Sequence, residues 1–364
     1  MRPGITLKLP PLQTVFSKIL ATLSWIAVLA MWACAASGYA HPDQWWSVLG
    51  VLGLCFPFGV AAVVGMGVLC LLFKPKLVWI AVVGLLGCCG SLRDYCPVNL
   101  ASPPPKGCLK VMTYNVFGFS GQKPDAKGDY PAMVYLYAKK PDIVCLQEAF
   151  GVGGKQADSL QLSARRHGYH YRKEELGGSV LGLLSRFPIA KSEVLFRSRT
   201  NGAAAFWLLP PGEDTIVVVN THLESMGLNS TDRSNYVELL HNHTDSVKGK
   251  LGFLRKIADA CHERAHQGDS LAQFIDHMQG RRLIVMGDFN DTPISYAHRQ
   301  VCSRLTDAYR ATGNGIGRSF HKDAIYVRID NIFCSSHWKP FAAMVENSID
   351  LSDHYPVSAY LKPQ

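Results

Sequence analysis

The first hundred residues contain three long runs without Lys, Arg, Asp or Glu, and these runs constrain the fold more than any other feature of the sequence. They cover residues 19–42, 44–73 and 77–92. A helix that crosses a lipid bilayer needs about 20 apolar residues, within a range of about 17 to 25. The first two runs are long enough, whereas the third has 16 residues and needs Lys76 and Arg93 to extend it by snorkelling. The sequence therefore predicts a membrane anchor of three transmembrane helices in residues 1–95.

The first run also fits a second interpretation, a signal peptide that is removed from the mature protein. Small residues at 36–40 resemble a cleavage site. The length of the run, and the apolar run that follows it closely, favour a retained helix instead. Both interpretations place the end of the first run on the same side of the membrane.

The distribution of basic residues predicts the orientation of this anchor. Lys and Arg favour the cytoplasmic side of a membrane. They precede the first run and separate the second run from the third, at Arg2, Lys8, Lys18, Lys74 and Lys76, whereas the loop after the first run has none. Three spans then place the rest of the chain outside the cytoplasm, and only a third run that fails to span would reverse this. We therefore expect a multi-pass protein, in the inner membrane of a bacterium, whose second part is periplasmic or extracellular.

A Pro-rich linker at residues 96–107 separates the anchor from a predicted globular domain at residues 108–364. In that domain, apolar runs rich in Val, Ile, Leu and Tyr alternate with helical patterns at about 132–139, 156–168 and 243–267. This alternation predicts a layered α/β sandwich. The cysteines of this part match no zinc-binding spacing. The sequence leaves open a disulfide among Cys96, Cys108, Cys261 and Cys302.

Polar side chains follow the apolar runs where strands are expected to end. In LIVMGDFNDTP, residues 283–293, an apolar run leads directly to Asp288 and Asn290. The other strand ends supply Asn115, Glu148, His222, Asp330, Asp353 and His354. Each residue alone has an ordinary explanation, because Asn and Asp form turns and a single His is usually structural. Carboxylates gathered at one edge would repel one another, however, unless a divalent cation such as Mg²⁺ neutralised them.

Seven motifs between about residues 109 and 361 share an order with a known group of enzymes. They are TYNVFGF, DIVCLQEAF, LLSRFPI, VVNTHLES, VMGDFNDTP, RIDNIFCS and SDHYPVSAYL. The sequence thereby resembles the endonuclease/exonuclease/phosphatase superfamily, which includes pancreatic-type deoxyribonucleases, apurinic-site endonucleases, neutral sphingomyelinases and inositol-polyphosphate 5-phosphatases. The resemblance implies a four-layer α/β sandwich with two packed mixed sheets. It also implies a hydrolase of phosphate esters that uses Mg²⁺, with Mn²⁺ as the second candidate ion.

The resemblance implies a metal and phosphate site at the strand ends. Glu148 corresponds to the main metal ligand, and Asp353 to a second carboxylate on the metal side. Asn115 supports the metal or the substrate phosphate. Arg318 and Arg328, in and after a glycine-rich loop at residues 313–320, are available to bind a phosphate.

The resemblance also implies which residues perform the chemistry. Asp288 and Asn290 are similar to the pair that orients the attacking water and the phosphoryl oxygens. His354 resembles the imidazole at the scissile phosphate, held by Asp330 through a ring nitrogen. His222 resembles the second imidazole of the deoxyribonuclease and sphingomyelinase branches. In-line attack on a phosphate ester needs such an oriented water and neutralised charge.

Some positions depart from the family pattern or lie outside it. Phe117 stands where the apurinic-site branch has an Asp, which weakens a role in DNA repair. Asn331 replaces the usual aromatic residue after Asp330, which we expect to alter packing rather than metal ligation. His262 and His266 have the four-residue spacing of a metal pair on a helix, but the sequence shows no third ligand for them.

The leading hypothesis is a membrane-anchored, metal-dependent phosphoesterase that hydrolyses a phosphodiester or phosphomonoester outside the cytoplasm. The alternatives are a DNA or RNA endonuclease or exonuclease, and an inactive membrane-bound binding domain. The net charge of +9 suits an anionic substrate, yet the basic residues form no concentrated stripe of the kind that dedicated nucleic-acid binders have. The expected partners are membrane lipid, a phosphate-ester substrate and, under the alternative, nucleic acid. The sequence does not indicate an oligomeric state.

Overall fold

The computed structural model describes residues 12–43, 47–149, 156–176, 179–198, 201–225, 247–322 and 327–364. Its helices are α1 (Leu12–Ala36), α2 (Val48–Leu54), α3 (Phe56–Phe73), α4 (Trp79–Gly87), α5 (Cys89–Tyr95), α6 (Pro131–Lys139), α7 (Gln156–Arg166), α8 (Val247–His277), α9 (Tyr296–Cys302) and α10 (Ala308–Thr312). The two shorter predicted helices are confirmed as α6 and α7. The predicted long helix is confirmed as α8, which continues ten residues beyond position 267, while residues 243–246 lie outside the described residues.

Twelve strands complete the described part of the chain. They are β1 (Leu109–Asn115), β2 (Ile143–Gln147), β3 (His170–Glu175), β4 (Val180–Ser185), β5 (Ile189–Arg197), β6 (Gly202–Leu208), β7 (Ile216–His222), β8 (Arg282–Asp288), β9 (Thr306–Asp307), β10 (Asp330–Cys334), β11 (Trp338–Val345) and β12 (Val357–Pro363). They form two six-stranded sheets, in the orders β11-β12-β1-β2-β4-β3 and β5-β6-β7-β8-β10-β9.

Both sheets are mixed, and each has one parallel pair at its centre. That pair is β1–β2 in the first sheet and β7–β8 in the second, and the other neighbours run antiparallel. Parallel strands end at the same edge of a sheet, so the residues that follow them gather there. This topology brings the ends of β1, β2, β7 and β8 together.

The sheets pack face to face and are covered by helices, which confirms the predicted sandwich. Side chains from both sheets, such as Val111, Leu183, Phe206 and Met286, form one buried core between them. The outer face of the first sheet packs against α6 and α7. The outer face of the second packs against α8 and α9. The continuous Val and Ile runs of β7 and β8 are buried on both faces, as expected of central strands.

The N-terminal helices only partly follow the pattern of the three apolar runs. Thr14–Tyr39 and Phe56–Phe73 are each long and apolar enough to cross a membrane. The second apolar run is divided into α2 and α3, and Pro57 lies in the first turn of α3, where its missing N–H is tolerated. The third run forms α4 and α5, which are bent by 64° at Cys88. Within the described residues, two helices therefore qualify as spans, or three if the bent pair counts as one.

The helical part packs directly on the α/β part. Buried residues of α1, α3, α4 and α5 form one apolar cluster with Ile294, Val327 and Ile329. The turn after α1 approaches so closely that a Cβ on Gly38 would lie 1.8 Å from the carbonyl oxygen of Ile294. The eleven cysteines are all free thiols, so the structure contains no disulfide. The proposed boundaries at residues 95 and 108 stay a prediction.

Candidate active site

Polar residues at one edge of the sandwich come from both sheets. Asn115 ends β1, and Glu148 directly follows β2. In the second sheet, His222 lies opposite Asp288 in the β7–β8 register. Asp330 lies opposite Asp288 on the other side, in the β8–β10 register. The two parallel pairs and the antiparallel β8–β10 pair thus place these five predicted site residues at adjoining edges.

Three side chains converge on one oxygen of Asp288, which is 1% exposed. Asn115 Nδ2 donates a hydrogen bond to Asp288 Oδ2 over 3.1 Å. The Nε2 atoms of His222 and His354 each lie 3.7 Å from the same oxygen. The other oxygen, Oδ1, accepts a hydrogen bond from the backbone N–H of Asn290 over 2.8 Å. Asp288 is therefore the centre of the cluster, and it joins the two sheets and the C-terminal loop.

His354 and Asp330 form the pair that the sequence predicts. His354 Nδ1 lies 2.8 Å from Asp330 Oδ2, and both side chains are almost fully buried. Because the carboxylate accepts the Nδ1 proton, Nε2 is the ring atom that faces Asp288. Phe320 packs edge-on against the ring of His354, with centroids 5.1 Å apart, and so limits its rotation.

The two imidazoles experience opposite electrostatic environments. Burial disfavours the charged form of His354, but the carboxylates of Asp330 and Asp288 outweigh it and raise the pKa of His354 to about 10. Burial lowers the pKa of His222 below its ordinary value. Burial also raises the pKa of Asp288, although the neighbouring imidazoles oppose this shift. These shifts favour the charged form of His354 and the neutral form of His222.

Two site residues have left-handed backbone conformations that non-glycine residues rarely adopt. The φ angles are 51° at Glu148 and 50° at Asn290. Gly287, between Met286 and Asp288, has φ 149°, and a Cβ there would lie 1.9 Å from the carbonyl oxygen of Thr221. These conformations turn the chain sharply where the strands end. Such local strain is typical of functional sites.

Asn115 bridges two carboxylates. Its Nδ2 also donates to Glu148 Oε1 over 3.1 Å, while its Oδ1 accepts from the backbone N–H of Phe117. The Ser352 hydroxyl donates to the carbonyl oxygen of Asn115 and lies 3.3 Å from Asp353 Oδ1. The loop that contains Asp353 is thus bonded to the end of β1. Glu148 is 33% exposed at its side chain, whereas Asp353 is buried.

The two arginines expected near the phosphate bond elsewhere. Arg328 is fully buried, and it donates to Asp307 Oδ2 over 3.1 Å and to the side chain of Asn331. Arg318 donates to the carbonyl oxygens of Phe320 and His321. Asn331 therefore packs against the buried guanidinium of Arg328, which agrees with the expected role in packing rather than metal ligation.

Sequence reasoning missed the polar link beneath the site. Gln147 Nε2 donates to Asn220 Oδ1 over 2.7 Å, and this bond joins β2 to β7 across the two sheets. Asn220 Nδ2 in turn donates to the carbonyl oxygens of Leu146 and Gly182. Both amides interrupt otherwise apolar strands, and that interruption is the sequence signal that could have revealed them.

Comparison with known families places this site in context. The model of the Endonuclease/Exonuclease/phosphatase family matches residues 112–354, so the chain belongs to that family. Members of this family are hydrolases that act on phosphate esters and typically depend on divalent metal ions. A second family model, described as a domain of unknown function, matches residues 17–95. A comparison with curated proteins gave no match.

Many solved structures are similar to the α/β part. The human nocturnin catalytic domain with bound sulfate is 18% identical, over 72% of this chain and 97% of that chain, with a TM-score of 0.49. The 3′ phosphatase NExo from Neisseria, bound to a product DNA hairpin, is 18% identical, over 70% and 99%, with a TM-score of 0.48. An AP endonuclease from Archaeoglobus fulgidus is 14% identical, over 70% and 99%, with a TM-score of 0.47.

Proposed function

We propose that the chain is a membrane-anchored, metal-dependent phosphoesterase that hydrolyses a phosphodiester or phosphomonoester by in-line attack of water. The observation that supports this best is the convergence of Asn115, His222 and His354 on one oxygen of Asp288. A buried carboxylate between two imidazoles can orient a water and accept its proton. The anchor favours a substrate at the membrane surface, such as a phospholipid or another phosphate ester held there.

The donor atoms of the site suit a hard divalent cation such as Mg²⁺ or Mn²⁺. Carboxylates outnumber imidazoles at this edge, and Glu148 lies near the amide of Asn115 and the His222 ring. We propose Glu148, Asp353 and the remaining lone pair of Asn115 Oδ1 as the ligands. Glu148 is the most accessible carboxylate of the set. When bound, the cation supplies positive charge beside the phosphoryl oxygens.

The side chains of the cluster have complementary tasks in this mechanism. Asp288 accepts the proton of the attacking water and holds that water in line with the leaving group. His354, kept charged by Asp330, donates from Nε2 to a phosphoryl oxygen as negative charge develops there. His222, which is neutral, is placed to hydrogen-bond the opposite side of the same phosphate. Asn290 positions Asp288 through its backbone N–H, and its second side-chain N–H is the one available to substrate.

A substrate panel tests this proposal. Full-length protein in detergent is assayed with phosphodiesters, phosphomonoesters, phospholipids, DNA and RNA, with Mg²⁺ or with EDTA. We expect hydrolysis only with the metal, and we expect Asp288→Ala to lower kcat at least about 100-fold. The exposed Asp276 on α8 provides the matched control Asp276→Asn. Near-normal turnover by folded Asp288→Ala, or hydrolysis unaffected by EDTA, would contradict the mechanism, and a clear preference for nucleic acid would favour the nuclease alternative.

We also propose that the α/β part faces the periplasm or the exterior. The turn after α1 contacts the α/β part through Gly38 and Ile294, which supports their being on one side of the membrane. The chain must then cross the membrane an even number of times between the turn after α1 and the α/β part. Because α3 accounts for one crossing, the bent pair of α4 and α5 would provide the other. Lys74 and Lys76, between these helices, would lie on the cytoplasmic side.

Reporter fusions after Gln364 test this orientation. We expect activity from a reporter that works only outside the cytoplasm and none from a reporter that works only inside. The opposite pattern would mean that α4 and α5 do not cross.

A further inference from the structure

A second group of potential metal ligands lies where the helical part meets the α/β part. His262, His266 and Asp269 follow one another at four and three residues on one face of α8, near the turn after α1 that contains His41. Ligand atoms of His41, His266 and Asp269 all lie within 4.8 Å of one another. The ring of His266 lies 5.0 Å from that of His41 and 4.6 Å from that of His262. None of these residues belongs to the candidate active site.

One distance within this group matches that between two ligands of a metal ion. His41 Nε2 lies 3.3 Å from Asp269 Oδ2. Two ligands at about 2.0–2.1 Å from a tetrahedral Zn²⁺ are about 3.3 Å apart. His41 and Asp269 therefore already have the spacing of two ligands of one ion, and the ligand atom of His266 lies within 4.8 Å of both.

Polar neighbours surround the potential ligands of this group. The Nδ1 atom of His41 lies 2.7 Å from Asp43 Oδ1, and that of His262 lies 2.9 Å from the carbonyl oxygen of Pro42. The acceptor at Nδ1 of His262 fixes the proton there and leaves its Nε2 lone pair for a metal, whereas Nδ1 of His41 has no hydrogen-bond partner among the described residues. Asp269 Oδ1 accepts a hydrogen bond from the Tyr296 hydroxyl over 2.9 Å, so Oδ2 is the oxygen that remains. Outer partners of this kind are typical of metal-binding His and Asp residues.

We propose that His41, His266 and Asp269 bind a Zn²⁺ ion, with His262 as the fourth ligand after rotation of its ring. Two or three imidazoles with one carboxylate favour Zn²⁺ over Mg²⁺, which prefers oxygen ligands. His41 and Asp269 are the further ligands that the sequence did not show for the pair of His262 and His266. The ion would join the turn after the first apolar helix to the long helix of the α/β part. Its role would be to fix the orientation of the catalytic domain on its anchor.

Metal analysis of the full-length protein tests this proposal. Protein in lipid nanodiscs is stripped with chelator, incubated with Zn²⁺ in the presence of excess Mg²⁺, and freed of unbound metal before zinc is counted. We expect one tightly bound zinc, and Co²⁺ in its place should give the strong visible bands of a four-coordinate site. Wild-type protein without tightly bound zinc, or without those bands, would overturn the proposal.

Matched variants separate this site from the active site. We expect His41→Ala and His266→Ala to lose the zinc. His277→Ala removes an exposed His from the same helix, where it bonds only the backbone of its own turn, and should keep the zinc. Glu148→Gln removes the main proposed ligand of the active site and should also keep it. Zinc that survives His41→Ala and His266→Ala but disappears in Glu148→Gln would show that the metal is held by the active site alone.

Discussion

Replacing Asn115 with Asp would test the geometry of the active site with almost no change in side-chain shape. Asn115 Nδ2 donates to Glu148 Oε1 and to Asp288 Oδ2, each over 3.1 Å. In Asn115→Asp a carboxylate oxygen occupies that position. Two attractive contacts therefore become two contacts between like charges.

The two 3.1 Å distances set the size of the effect. Two unit charges 3.1 Å apart repel by about 5 kcal/mol at an effective dielectric constant of about 20. One of the carboxyl groups can bind a proton, which relieves part of this repulsion. Raising its pKa by one unit costs only about 1.4 kcal/mol. We therefore expect the metal-free variant to lose about 3–5 kcal/mol of stability, as when one partner of a buried polar contact is removed. In a domain of this size, that loss lowers Tm by about 2–4 °C per kcal/mol.

Mg²⁺ should reverse much of this loss, because the added carboxylate is a further anionic ligand for the ion. The assay is thermal unfolding in detergent, with EDTA and with Mg²⁺, and Mg²⁺ should raise the Tm of Asn115→Asp more than that of the wild type. Asn220→Asp is the matched control, since Asn220 is equally buried but bonds backbone carbonyls between the sheets. We expect it to be destabilised without an added response to Mg²⁺. An equal Mg²⁺ shift in Asn115→Asp and the wild type would refute the placement of the metal beside Asn115.

Three further predictions follow from buried contacts. Asp330→Asn and His354→Ala should be markedly non-additive in kcat because the two residues act as one unit, and fully additive losses in a double-mutant cycle would argue against the pair. Arg264→Met should cost about 3–5 kcal/mol in chemical unfolding, because it leaves the buried carboxylate of Asp291 unpaired, and adding Asp291→Leu should restore much of that loss. Gly287→Ala should disrupt the β7–β8 edge, since its Cβ would lie 1.9 Å from a carbonyl oxygen of β7. A Gly287→Ala variant with wild-type Tm and activity would contradict that clash.

The positions of the main site residues could be predicted because they depend on short patterns. Glu148 and Asp288 each follow an apolar run that can only be a buried strand, and both strands prove to be parallel to a neighbour. Ends of parallel strands meet at one edge whatever the loops between them do. The partnership of His354 with Asp330 rested on family resemblance, and the 2.8 Å contact agrees with it.

Other features depend on contacts that no local pattern specifies. No proline lies near the bend at Cys88, so the sequence of the third apolar run predicted a single helix. His41 and His266 belong to segments far apart in the sequence, and only the packing of the anchor on α8 brings them together. Arg328 looked available for a phosphate, but its neighbours Asp307 and Asn331 bury it. A charged side chain is usually exposed, and sequence alone does not reveal when a partner removes it from solvent.

The apolar cluster shared by the two parts has a practical consequence for producing this protein. A shortened chain that began at Pro97 would leave Ile294, Val327 and Ile329 without the helices that cover them. Exposed apolar surfaces of this kind promote aggregation. Ile329 directly precedes Asp330, so disorder at the uncovered surface would also reach the partner of His354. Expression of the α/β part without the N-terminal helices would therefore need polar substitutions at the uncovered positions, and a low activity of the unaltered fragment would reflect lost support rather than a missing catalytic group.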